Sequence, residues 1–233
     1  MRNGENHVIR AVLFDLDGTL VNSLADLAFA VNTVLRRHGY PTHPQQAFRY
    51  FAGNGNAMMM RRALPEDQRD DARVERLKNE FFEVYRPHCA DQSRPYPGVE
   101  EMLRSLKSAG IRLAVVTNKA QPMTDAVIPA MFGQMPVSFD AVIGQREGVP
   151  TKPDPAMARL AMRALGVVPR ECLFVGDSAA DMQTGCAAGA CPVGVLWGFR
   201  DRQELLSAGA KYLIEQPSEL PEIIQKIHRE TEE

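Results

Sequence analysis

Short apolar runs alternate with helical patterns through most of this chain, and that alternation restricts the folds open to it. The runs lie at 8–14, 111–116, 141–144, 172–175 and 191–196, with a weaker one at 212–214. Helical patterns fill the intervals at 99–109, 122–131, 155–165 and 181–188, and an amphipathic pattern closes the chain near 218–229. Gly110, Gly166 and Gly189 each stand just past a helix, where a residue that accepts a left-handed conformation ends it cheaply. Strand and helix alternating at this spacing predict an α/β fold, a parallel sheet covered on both faces.

One stretch breaks the rhythm. Residues 22–94 hold no convincing strand and read as helices at 24–37, 44–51, 57–64 and 66–86, ended by Pro95-Tyr96-Pro97-Gly98. A crossover between strands seldom needs so many residues. The expected division is a core of residues 1–21 and 95–233 with a small helical domain of residues 22–94 inserted on two linkers. The plainer reading is a single domain with one thick crossover.

Composition narrows the function classes. Of 233 residues, 24% are charged and 45% apolar, the balance of a globular protein with a full core, and a formal net charge of −2 offers no attraction to nucleic acid or an anionic membrane. No segment approaches the ~20 apolar residues of a membrane span, and the polar residues 1–10 lack the apolar centre of a signal peptide. Cys89, Cys172, Cys186 and Cys191 show no metal-binding spacing and read as buried free thiols. The expected setting is the cytoplasm, with no nucleic-acid or membrane partner and with the chain a monomer or homodimer.

Polar groups gather where parallel strands end, and such ends converge on one rim of the sheet. Asp15 and Asp17 follow the first strand, Thr117 and Asn118 the second, and Asp177 and Asp181 lie beyond the run at 172–175. Lys152 stands at a helix entrance in Lys152-Pro153-Asp154-Pro155. Singly, each has an ordinary explanation: Asp17-Gly18 a turn, Thr117-Asn118 a cap, Lys152 a solvated lysine, Asp177 and Asp181 acids at a helix start. Together they describe a site for a divalent cation and a phosphoryl group. A phosphate dianion repels a carboxylate nucleophile until a cation and a lysine neutralise it, and an all-oxygen donor set suits Mg²⁺. One carboxylate can then attack phosphorus while a second handles the proton.

The segments Asp15-Leu16-Asp17-Gly18-Thr19-Leu20, Val116-Thr117-Asn118-Lys119, Lys152-Pro153-Asp154-Pro155 and Gly176-Asp177-Ser178-Ala179-Ala180-Asp181 resemble, in order, the four motifs of the haloacid dehalogenase-like (HAD) phosphatases. Further stretches, among them 26–32, 52–55, 61–64, 94–99 and 187–189, resemble bacterial phosphoglycolate phosphatases. The resemblance implies a Rossmann-like HAD core with a C1-type helical cap. It implies Asp15 as the nucleophile that becomes an aspartyl phosphate and Asp17 as general acid/base. Thr117 and the Asn118 N–H would hold phosphoryl oxygens, and Lys152 would neutralise nucleophile and phosphate. Mg²⁺ would be bound by Asp15, the Asp17 carbonyl and Asp177, with Asp181 touching it directly or through another ligand. Two places depart from the family pattern: Asn22-Ser23 stands where Asp-Ser is usual, and residues 144–147 lack the common Gly-Asp.

Gly53-Asn54-Gly55 interrupts the inserted helices and is expected either to offer backbone N–H groups to a small acid or to be a plain turn; Arg49 and Arg62 are further candidates to grip a carboxylate. The expected function is therefore Mg²⁺-dependent hydrolysis of a small phosphorylated metabolite, 2-phosphoglycolate first. The rivals are a phosphatase for a sugar phosphate, nucleoside monophosphate or pyrophosphate, a phosphomutase, a phosphonate hydrolase and a non-catalytic protein on the same fold. Lys78, the only lysine between residues 22 and 94, lies in a charged helical stretch, which counts against the phosphonate hydrolase.

Overall fold

The computed structural model describes residues 8–232, so the polar stretch at 1–7 lies outside the described residues. The chain begins with β1 (Ala11–Phe14), then β2 (Val21–Asn22). Helices α1 (Leu24–Arg37), α2 (Phe48–Phe51), α3 (Asn56–Ala63) and α4 (Asp71–His88) come next, and β3 (Arg94–Pro95) closes this segment. The remainder alternates: α5 (Val99–Ser108), β4 (Arg112–Ala120), α6 (Gln121–Phe132), β5 (Ala141–Gln145), α7 (Ala156–Leu165), β6 (Cys172–Gly176), α8 (Ala179–Ala188), β7 (Cys191–Val195), α9 (Arg202–Ser207), β8 (Tyr212–Ile214) and α10 (Glu219–Glu232).

Six strands form one sheet in the order β5-β4-β1-β6-β7-β8, and every neighbouring pair in it is parallel. β1 is central, pairing with β4 on one side and β6 on the other. Side chains alternate along it: Ala11 and Leu13 face a layer built with Met157, Ala161 and Leu165 of α7, while Val12 and Phe14 face the opposite core with Leu103 and Leu113. All four β1 residues are fully buried, which is why the run is apolar at every position. The chain order reverses at β1, so a crevice opens beyond the carboxyl ends of β1, β4 and β6.

Residues 24–88 contain helices and no strand among the described residues. The two linkers meet as an antiparallel ribbon, Val21 opposite Pro95 and Asn22 opposite Arg94. Leu27, Val31, Val34 and Leu35 give α1 a buried face, and the helical segment's apolar residues Phe48, Met60, Leu77 and Phe81 are buried in one cluster with it. Two expected helices are shorter than their patterns. The stretch at 44–51 opens with a 3-10 turn, Gln45–Ala47, before α2. That at 66–86 is split because Asp70 accepts the Arg73 N–H and starts α4 afresh. The thiols also differ from expectation: all four are free, with Cys89 and Cys172 buried, but Cys186 is exposed and Cys191 half-buried. No described helix is long and apolar enough to cross a membrane.

Candidate active site

β1 delivers Asp15 to the crevice as it leaves the sheet, its N–H still bonded to Val175 O at 2.9 Å. Asp15 Oδ1 accepts the Leu16 N–H at 2.7 Å and faces Lys152 Nζ at 2.8 Å, while Oδ2 takes no hydrogen bond from the described residues. The chain then turns at Gly18, whose φ is +87°. A Cβ there would lie 2.3 Å from Asp177 Oδ2, so both the backbone conformation and the close approach of Asp177 require glycine.

β6 places Asp177 beside that turn. Its Oδ1 accepts from Thr19 Oγ1 at 3.0 Å and its Oδ2 from the Phe199 N–H at 2.7 Å. Asp181, on the first turn of α8, is wholly buried. Ser178 caps that helix, and Asp181 Oδ2 receives the Ser178 N–H (3.0 Å) and hydroxyl (2.6 Å) in return, while Oδ1 takes Lys152 Nζ at 2.6 Å.

Asp15, Asp177 and Asp181 can bring their carboxylate oxygens within 4.8 Å of one another. Burial pushes the Asp15 carboxyl up to about 6 against the pull of Lys152, with Asp181 adding to the rise. Burial, then Asp181 and Asp15, push Asp177 up to about 8. Burial alone would lower the Lys152 ammonium, but Asp15 and Asp181 outweigh it and hold it above its ordinary value. One lysine among three buried carboxylates leaves negative charge uncompensated, and an all-oxygen cluster of this kind fits a hard divalent cation.

The end of β4 supplies the remaining groups. Thr117 is buried, and its Oγ1 accepts the Lys119 N–H at 3.2 Å. The Asn118 side chain ties the strand end to the lysine loop, accepting the Lys152 N–H at 2.8 Å and donating to Lys152 O at 3.1 Å. It also donates to Gly53 O at 3.2 Å, which joins the sheet rim to the inserted helices.

Asp17 has a partner that is not among the expected site residues. Lys119 Nζ bonds both of its carboxylate oxygens, at 2.8 and 3.1 Å, and the ammonium lies 4.7 Å from the ring centre of Tyr85 on α4. The sequence does carry a signal for it: Lys119 lies two positions beyond Thr117 on an extended strand, which directs both side chains to one side.

Above these groups is a cavity of ≈ 30 Å³, lined by Asp15, Asp17, Thr117, Asn118 and Lys119 below and by Leu27, Ala52, Gly53, Gly55, Asn56 and Met59 from the helical segment. Asn54 is turned elsewhere, lining a separate ≈ 300 Å³ pocket with Arg62 and Arg200. Arg49 and Arg62 do not line the catalytic cavity. Arg49 instead donates to Gly198 O (2.8 Å) and Phe199 O (3.2 Å), and Arg62 to Tyr50 O (3.0 Å) and Phe51 O (3.2 Å). Arg200 returns the contact from the sheet side, donating to Arg49 O and to Ala52 O.

Over 195 residues the chain is 37% identical to a phosphoglycolate phosphatase of Pseudomonas putida, covering 82% of this chain and 70% of that one. It is 32% identical to an N-acetylmuramic acid 6-phosphate phosphatase of Pseudomonas aeruginosa, covering 94% of this chain and 96% of the relative. A solved structure from Lactobacillus delbrueckii superposes with a TM-score of 0.86 at 27% identity, over 93% of this chain and 98% of the other. The model of the haloacid dehalogenase-like hydrolases matches residues 9–189, and the chain belongs to that family.

Proposed function

We propose that this chain hydrolyses a small phosphate monoester, 2-phosphoglycolate to glycolate and phosphate, through an aspartyl phosphate on Asp15. The observation that carries the reading is the division of the Asp15 carboxylate. Oδ1 is held by Lys152 and the Leu16 N–H, and Oδ2 has no donor among the described residues to compete with phosphorus. Oδ2 attacks phosphorus, the bond to the leaving oxygen breaks, and Asp17 gives that oxygen its proton. Asp17 then takes a proton from water as water attacks the aspartyl phosphate, which releases inorganic phosphate and restores Asp15. Thr117 Oγ1 and the Asn118 N–H donate to phosphoryl oxygens, and the Lys152 ammonium offsets the charge gathered there.

Asp15, the Asp17 carbonyl and Asp177 would hold Mg²⁺, with Asp181 fixing Lys152 and available to the ion. When bound, the ion supplies the positive charge that lets a carboxylate approach a phosphate dianion. Residues 22–94 act as a cap over the core of residues 1–21 and 95–233, a role supported by the paired linkers and by the Asn118–Gly53 contact. Free cysteines suit a cytoplasmic setting.

The small cavity under Gly53 and Gly55 favours a leaving group of a few atoms. A sugar phosphate is the second reading, since one relative is named for N-acetylmuramic acid 6-phosphate. Phosphate release from a panel of phosphorylated metabolites, with and without chelator, tests both. The expected result is a kcat/KM highest for 2-phosphoglycolate, lost in chelator and abolished in Asp15→Asn. Activity surviving in Asp15→Asn overturns the mechanism; a higher kcat/KM for a sugar phosphate overturns the substrate.

A further inference from the structure

Two lysines enter the site, and Lys119 is the one with no part in the proposed chemistry. Lys152 is divided between Asp15 and Asp181. Lys119 lies on the other side, bonded to Asp17 and 2% exposed in its side chain. Among the described residues lining the catalytic cavity, Lys119 is the one cationic side chain, and the arginines Arg49 and Arg62 of the helical segment make their bonds elsewhere.

Asp17 protonates the leaving oxygen in the proposed mechanism, so that oxygen must come to the Asp17 carboxyl. Whatever is attached to it then falls beside an ammonium that sits 2.8 Å from Asp17. In 2-phosphoglycolate the carboxylate is separated from the leaving oxygen by a single methylene, and the cavity offers no room to carry it far. An ammonium has three donors, so it can accept a second carboxylate without releasing the first. The Tyr85 ring behind it holds the cation in place without adding a competing negative charge. We infer that Lys119 selects the substrate by pairing with the carboxylate of the leaving group, so that the site takes phosphorylated hydroxy acids in preference to neutral alkyl phosphates. The inference rests on the reading of this site as a small-substrate phosphatase.

A matched pair of substrates separates recognition from positioning. Ethyl phosphate replaces the carboxylate of 2-phosphoglycolate with a methyl group and keeps the same leaving oxygen. kcat/KM is measured for both, with Mg²⁺ present, in wild type, Lys119→Met and Lys119→Gln; the second variant keeps a donor toward Asp17 in case the first does not fold. A role limited to holding Asp17 lowers both substrates alike, since both need the same proton. The expected result is a wild-type preference for the acid that falls by about 10- to 150-fold in the variants, the range of one charge-assisted hydrogen bond, and does so through KM. A preference that survives in both variants overturns this inference alone. A wild type with no preference for the acid overturns the substrate reading and this inference with it.

Discussion

Asp26→Ala removes the acceptor that fastens the two linkers of the helical segment to each other. Asp26 lies in the first turn of α1 and is wholly buried. Its Oδ2 accepts from Ser93 N at 2.8 Å and Ser93 Oγ at 2.6 Å, and the Gln92 N–H reaches both oxygens at 3.0 and 3.1 Å. Alanine would strand two backbone donors and a hydroxyl. A buried donor deprived of its partner costs about 1–3 kcal/mol. The Ser93 N–H is buried, the Ser93 hydroxyl can rotate to a new acceptor and the exposed Gln92 can turn its N–H to water at a smaller cost, so the loss is about 2–4 kcal/mol. At roughly 2–4 °C per kcal/mol for a chain of this size, the melting temperature should fall by about 10 °C. Asp26→Asn keeps an acceptor oxygen and should lose about half as much. Thermal melts and urea titrations measure the change, and limited proteolysis locates it, with new cleavage expected at 90–94. A loss below about 1 kcal/mol for Asp26→Ala would refute the reasoning, because it would mean that packing alone holds the linkers.

The carboxylate cluster makes the metal-free protein sensitive to pH. Asp177 is raised to about 8 and Asp15 to about 6, so the folded state keeps protons that the unfolded chain has already released above the ordinary carboxylate range. Stability without metal should therefore fall as pH rises toward 8, and Mg²⁺ should raise the melting temperature more at pH 8 than at pH 5; an equal or larger effect at pH 5 would count against the assignment. Arg49→Ala breaks the bonds to Gly198 O and Phe199 O, in the loop whose Phe199 N–H holds Asp177. The expected result is a KM about tenfold higher, because the helical segment loses two bonds to the loop beside Asp177, and unchanged kinetics would show that the Arg49 bonds do not help to hold that segment over the site.

Much of the site is legible in the sequence because its chemistry sits at strand ends. The segments leading to Asp15, Thr117 and Asp177, residues 11–14, 113–116 and 172–175, are apolar throughout, as strands buried on both faces in a parallel sheet must be. The residues just beyond each run are polar because they leave the sheet on the same rim. Helix starts are less legible: Ser178 and Asp181 form a capping box, yet the expected helix begins at 181 and the observed one at Ala179. Lys119 shows its spacing from Thr117 but not its role, since nothing local says which carboxylate it meets.

By itself the sequence determined the alternating α/β architecture, the helical interruption and the set of acids, hydroxyl and lysine at the sheet rim, because each is written in short-range period and spacing. The tertiary structure alone decided the pairings. Asp17 and Lys119 are 102 residues apart and meet because β4 lies beside β1. Asp26 reaches Ser93 across the whole inserted segment, and Arg49 turns to the loop after β7 instead of the cavity. Periodicity tells a side chain which face to take; which partner waits there depends on the order of strands in the sheet and on how the inserted helices close over it.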